Sequence, residues 1–96
     1  MKTIPLSAGL ANFSFTTRLN DTQLKFTFRW LTRYGYFSVD IFNSDGSALT
    51  LGRALHVGVN LLDGLNTQIG NIVLEGGKAT IANLGIDNKL NWYPHD

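Results

Sequence analysis

The sequence predicts an all-β fold: a single small antiparallel meander of six to seven short strands, closed or nearly closed into a barrel or sandwich. Three observations carry this expectation. Apolar residues alternate with period two through the first half of the chain. Turn-forming residues, including ten glycines, recur at short intervals. No segment sustains the helical period over three turns.

The 96 residues form one β domain, residues 1–96, because two halves of such a chain would be too small to bury separate cores. A chain of this size buries near 65% of its unfolded surface, enough for one modest core. With no cysteine, neither disulfides nor a thiolate zinc site adds stability. Residues 1–12 read as an extended N-terminal arm free to reach a neighbour. Lys2 ahead of a mildly apolar stretch faintly mimics a secretion signal, but Pro5, Ser7 and Gly9 break the apolar part, so synthesis in the cytoplasm is the expectation. No apolar run is long enough to cross a bilayer as a helix.

The first hairpin is the clearest element. Phe13, Phe15, Thr17 and Leu19 alternate with Ser14, Thr16 and Arg18. Beyond Asn20-Asp21-Thr22-Gln23, Leu24, Phe26, Phe28 and Trp30 oppose Lys25, Thr27 and Arg29. Pairing Leu19 with Leu24, Phe15 with Phe28 and Phe13 with Trp30 makes one face aromatic and the other polar. In the next strand Phe37, Val39 and Ile41 face the core. A three-residue loop, Ser44-Asp45-Gly46, then sets glycine where a left-handed residue is needed and pairs Ile41 with Leu49 and Val39 with Leu51. Gly52 to Val57 continues or restarts a strand, and Gly58 to Leu65 forms a helical turn or packed loop. Ile69 to Glu75 and Lys78 to Asn83 read as strands joined at Gly76-Gly77, and Leu90 to Tyr93 as a last strand stopped by Pro94.

The residues of catalysis are sparse. His56 and His95 are the only histidines and Glu75 the only glutamate, with no carboxylate pair at a local spacing suited to acid–base work. A metal site would need scattered Asp63, Asp87 and a histidine. Gly76-Gly77-Lys78 lacks the upstream glycine and following hydroxyl of a phosphate loop. The expectation is therefore no enzyme, no catalytic residue, no cofactor and no metal.

What remains is surface. Leu31, Tyr36 and Phe42 share the nominally polar face with Ser38 and Asp40, while Tyr34, Trp92 and Tyr93 lie in a loop and near the C-terminus. A chain this small cannot cover two faces of its own sheet, so some of these six are exposed or contact another chain and together they are the candidate partner interface; the alternative is that strand curvature closes a barrel that internalises Phe42 or Tyr36. Arg18, Lys25, Arg29 and Arg33 form a basic face, the basis of an alternative reading as a small β-barrel that binds single-stranded nucleic acid. That alternative is not favoured, because Phe26, Phe28 and Trp30 point away from the basic face and the net charge is only +1. A weaker option is a sugar platform made by Trp92 and Tyr93.

The order of segments also carries a resemblance. Ile4-Pro5-Leu6 opens the chain, the alternating hairpin Phe13 to Trp30 follows, and Gly35-Tyr36-Phe37-Ser38-Val39-Asp40-Ile41-Phe42 precedes a short Asp-Gly turn. Gly52-Arg53-Ala54-Leu55-His56-Val57-Gly58-Val59-Asn60-Leu61-Leu62 comes next, then Leu84-Gly85 with Leu90 and Tyr93. Over nearly its whole length the chain resembles the small baseplate plug proteins of contractile-tailed bacteriophages. It departs from them at Pro94-His95-Asp96 and over Ile69 to Asn83. The resemblance implies a non-enzymatic structural protein of the virion, located in the tail baseplate. It would pack around the central hub or spike against hub, spike or wedge subunits, and it could itself be homo-oligomeric.

Overall fold

The computed structural model describes residues 1–19, 21–65 and 69–94. Among them run seven strands: β1 (Lys2–Ile4), β2 (Asn12–Leu19), β3 (Thr22–Leu31), β4 (Tyr36–Asn43), β5 (Ala48–Ala54), β6 (Gly70–Gly76) and β7 (Asn88–Pro94). They form a four-stranded sheet of order β2-β3-β4-β5 and a three-stranded sheet of order β1-β7-β6, both antiparallel. The sheets do not close into a barrel; their apolar residues meet in one cluster. The accessible surface, 5436 Å², matches the roughly 5,500 Å² expected for a folded chain of this size.

Alternation sorts the four-stranded sheet into faces. Leu24, Phe26 and Phe28 of β3 and Phe37, Val39 and Ile41 of β4 are fully buried, while the intervening Lys25 and Arg29 are exposed. Phe13 pairs with Phe28 and Phe15 with Phe26, their rings stacked at centroid distances of 4.9 Å and 5.3 Å. The predicted pairing is therefore displaced by two residues. Leu19 lies opposite Thr22, not Leu24, and the connection is tighter than expected. Asp21 makes this possible by taking φ 59, a left-handed conformation that aspartate tolerates better than most residues. A displacement of two keeps every side chain on its expected face, since the side-chain period is two.

The loop after β4 follows expectation near the turn. Gly46 has φ 89, its N–H donates to the Asn43 carbonyl at 3.0 Å, and the Asn43 N–H donates to the Ser47 carbonyl at 2.8 Å. Irregularities between Val39 and Phe42 then move the register, so Ile41 faces Thr50 and Val39 faces Arg53 in place of Leu49 and Leu51. Leu51 is consequently 61% exposed. The Gly52 N–H donates to Asp40 Oδ1 at 2.7 Å, so a side chain replaces a ladder carbonyl at the bulge.

β5 ends at Ala54, short of the predicted Val57, and the chain crosses to the second sheet as a packed loop. The Leu55 N–H donates to the Phe37 carbonyl, Gly58 to that of Leu74 and Leu61 to that of Ile72. Asn60 Oδ1 accepts from the N–H groups of Leu62 and Ile72 at 3.1 Å and 2.9 Å, and Leu61 and Leu62 are buried.

The expected strand over Lys78 to Asn83 does not form, and Gly76-Gly77 is not a hairpin turn. β6 pairs instead with β7, and residues 77–87 are a loop stitched by two asparagines. Asn83 accepts from the Thr80 N–H at 2.7 Å and donates to the Lys78 carbonyl at 2.9 Å. Asn88, 2% exposed, accepts from the Gly85 N–H at 2.7 Å and donates to the Gly77 carbonyl at 3.1 Å. These amides satisfy backbone groups that a strand ladder would otherwise have taken.

Nor do residues 1–12 form a free arm throughout. Lys2–Ile4 pairs with β7, Ile4 is 1% exposed, and the Gly9 N–H donates to the Ile81 carbonyl at 2.7 Å. An isoleucine that reaches an apolar cluster gains more by burial than by extension into water, about 2 kcal/mol by side-chain transfer.

Gly76 ends the β6–β7 ladder where the chain enters the 77–87 loop. It has φ 110, and a Cβ there would lie 2.7 Å from the Asp87 carbonyl oxygen and 2.9 Å from Asn88 Cα. Gly76→Ala is expected to lower stability by roughly 1–3 kcal/mol or more from backbone strain alone. Gly77→Ala, whose Cβ would meet its nearest atom at 3.4 Å without a positive φ, is expected to change it far less. Urea unfolding of the two variants against the parent chain measures the difference.

Candidate interaction surface

The six candidate interface residues separate into three locations. Leu31 ends β3 and pairs with Tyr36, the first residue of β4; Tyr34 lies in the turn between them. The turn is closed by the Tyr34 and Gly35 N–H groups, both donating to the Leu31 carbonyl at 3.0 Å and 2.8 Å. Tyr34 is 65% exposed, its ring 6.1 Å from that of Tyr36, and Tyr36 lies 5.2 Å from the His56 imidazole. Leu31, Tyr34 and Tyr36 are thus brought together at one end of the four-stranded sheet, with His56 joining them from the loop after β5. Nothing local in the sequence points to His56 as a neighbour of Tyr36; the contact depends on the bulged β4–β5 register.

Phe42 stands at the far end of β4, half-buried opposite Lys25. It lines a concavity of about 360 Å³ together with Thr16, Gln23, Lys25 and Asn43. Trp92 and Tyr93 diverge, because adjacent strand residues point to opposite faces. Trp92 packs against the core and its Nε1–H donates to the Ile69 carbonyl at 2.8 Å. Tyr93 stands on the outer face of the three-stranded sheet, 37% exposed. The pair therefore cannot form one flat platform for a sugar ring.

Of the basic residues, Arg18 lies on β2 and Lys25 and Arg29 on β3, all exposed on the outer face of the four-stranded sheet, and Arg33 is exposed in the β3–β4 turn. Lys25 and Arg29, four positions apart on one strand, are separated by roughly 13 Å along it. The aromatics of the same sheet's inner face, Phe26 and Phe28, are fully buried and cannot stack on a base. His95 lies outside the described residues. Among the described residues no group of three or more histidine, cysteine, aspartate or glutamate side chains could hold a metal ion.

A polar cluster that the sequence reading did not anticipate runs across the outer face of the three-stranded sheet. Glu75 Oε1 accepts hydrogen bonds from the Tyr93 hydroxyl and from Asn91 Nδ2, the latter at 2.8 Å, while Asn91 Oδ1 accepts from Thr3 Oγ1 at 2.8 Å. The Tyr93 and Asn91 donors hold the Glu75 carboxyl below the usual glutamate range. The same bond to Glu75 and its charge push the Tyr93 phenol up. Strands β1, β6 and β7 are thereby tied by side chains as well as by their ladders, a pairing that only the three-strand order reveals.

The fold and its surface define a small two-sheet β protein whose exposed aromatic and basic residues are divided among separate patches. The family model for the cyanophage baseplate Pam3 plug gp18 matches residues 1–95, and the chain belongs to that family of structural phage tail baseplate proteins. A search of curated proteins finds no match.

The Glu75 cluster yields a pH expectation. A carboxyl whose pKa is lowered by folding adds stability above the ordinary glutamate pKa, and that stability is lost as pH falls through the folded value. Tyr93→Phe removes the first donor, so the Glu75 pKa is expected to rise toward the ordinary range. Titration of the Glu75 side-chain carboxyl by NMR reads the shift; an unmoved value would show that the Tyr93 bond does not set it.

Proposed function

We propose that the chain acts as a non-enzymatic packing element of the tail baseplate, seated around the central hub or spike and held there by protein–protein contacts. It would be made in the host cytoplasm and incorporated during assembly, with hub, spike or wedge subunits as neighbours. What supports this reading beyond family membership is the aromatic group Tyr34, Tyr36 and His56. Tyr34 is 65% exposed although its backbone is fixed by the turn bonds to Leu31. A rigid, exposed aromatic costs little side-chain entropy on binding, which is why aromatics dominate interface energetics. Leu31 extends this patch; Phe42 and Tyr93 are candidates for separate contacts, and Trp92 contributes through the core.

The basic residues Arg18, Lys25, Arg29 and Arg33 fit acidic side chains of neighbouring subunits better than a nucleic acid, since the net charge is only +1 and Phe42, the aromatic opposite Lys25, is half-buried.

Mass spectrometry of purified intact particles is expected to detect the chain at a fixed ratio to other baseplate proteins. Its absence from such particles would overturn the reading. In particles grown with Tyr34→Ala as the sole copy, that ratio is expected to fall about tenfold or more, the scale of losing one interface hot spot. Full incorporation of Tyr34→Ala would remove the aromatic patch from the interface while leaving baseplate membership intact.

A further inference from the structure

The four sheet edges differ sharply in how they end. β1 spans only Lys2–Ile4 and is followed by Pro5, which has no N–H to offer a neighbour. β5 is bulged, and its Gly52 N–H is taken by Asp40. The β6 edge is covered by the loop after β5, through bridges Val57 to Leu74 and Asn60 to Val73. β2 has none of these devices: eight residues, Asn12–Leu19, pair with β3 without a bulge and without proline.

The backbone of β2 has a defined outward set. Trp30 N–H donates to the Ala11 carbonyl at 2.7 Å, in line with the β2–β3 register. Hydrogen-bonded pairs alternate along an antiparallel ladder, so Phe13, Phe15 and Thr17 also bond β3, and the N–H and C=O of Asn12, Ser14, Thr16 and Arg18 point off the sheet. Lys2 Nζ confirms the direction by donating to the Arg18 carbonyl at 3.1 Å. That contact covers one acceptor at one end of the strand. No other described element pairs with this edge, and beside it an open groove of about 440 Å³ is lined by Pro5, Leu6, Ser7, Phe15 and Thr16.

We propose that this edge is a homotypic interface: two copies of the chain pair antiparallel through β2 about a two-fold axis at Phe15. Only registers that match outward residues to outward residues make hydrogen bonds without turning a face over. Among these, the register that pairs all four outward residues sets Ser14 opposite the partner's Thr16 and Asn12 opposite the partner's Arg18. On the inner face it sets Phe13 opposite the partner's Thr17 and Phe15 opposite the partner's Phe15. Each is a favoured or neutral cross-strand combination: hydroxyl with hydroxyl, amide with guanidinium, aromatic with β-branched, aromatic with aromatic. No like charges face each other, and the Ser14 and Thr16 ladder forms without disturbing the Lys2 bond to Arg18. The grooves beside both edges leave room for the partner's Phe15. Such a joint is isologous and closes at two copies. It does not depend on baseplate placement and is tested on the isolated chain.

The cysteine-free sequence makes the register directly testable. In a non-hydrogen-bonded antiparallel pair Cα atoms lie about 4.5 Å apart, within disulfide reach. Phe15→Cys is therefore expected to oxidise to a covalent dimer, whereas Phe13→Cys, roughly 13 Å from its own copy along the strands, is not. Sedimentation velocity of the parent chain is expected to show a concentration-dependent dimer, weak because one edge pairing buries less than a standard interface of about 1,600 Å². Thr16→Pro removes an outward N–H and is expected to give a monomer. The double variant Ser14→Lys with Thr16→Lys, which faces lysines across the axis without touching the backbone, is expected to do the same should proline disturb folding. A parent chain monomeric at all concentrations, a dimer that these variants leave intact, or equal crosslinking at positions 13 and 15 would each overturn the proposal.

Discussion

A single apolar layer joins the two sheets, and the parity of β3 decides what enters it. Leu24, Phe26 and Phe28 are fully buried between Lys25 and Arg29, which are exposed. A slip of one residue would drive those two cations into the cluster, at a desolvation cost of several kcal/mol each. Every other apolar contribution is fitted to this choice. Phe13 and Phe15 stack on β3 from one side, and Phe37, Val39 and Ile41 align on it from the other. Ile4, Ile72, Leu74 and Leu90 of the second sheet then close the layer.

This constraint also explains what could be read from the residues alone. Faces follow from a period of two, so the buried set of β3 and β4 was legible. Register is a finer matter, set by turn geometry, and the left-handed Asp21 gives the first hairpin a tighter connection than the polar run suggested. The bulges opposite Val39 and Ile41 left Leu51 exposed, because alternation has no means of announcing an extra residue. The expected strand over Lys78 to Asn83 is a loop for a related reason. Its mixed apolar content permits a strand, but Asn83 and Asn88 offer the backbone nearer partners. The candidate surface was legible in part: Leu31, Tyr34 and Tyr36 do gather, while His56 joins them only through tertiary packing.

The two sheets divide their labour. The four-stranded sheet carries Arg18, Lys25 and Arg29, with Arg33 in its β3–β4 turn, together with the tyrosine–histidine patch and the open β2 edge. The three-stranded sheet turns its polar groups on itself, binding Thr3, Asn91, Glu75 and Tyr93 into one network. The exposed aromatic group Tyr34, Tyr36 and His56 and the hydrogen-bonded network around Glu75 therefore lie on different sheets.

The pairing of β1 with β7 has a kinetic side. Thr3 and Asn91 touch across 88 positions of sequence. On a ribosome the four strands of the larger sheet emerge in order and can each pair with the strand just made, whereas Lys2–Ile4 has no ladder to join until Asn88–Pro94 has appeared. Docking of β1 is a high-contact-order step, among the last in folding. Until it occurs Ile4 is without its pocket, so completion of the shared core waits for nearly the whole chain.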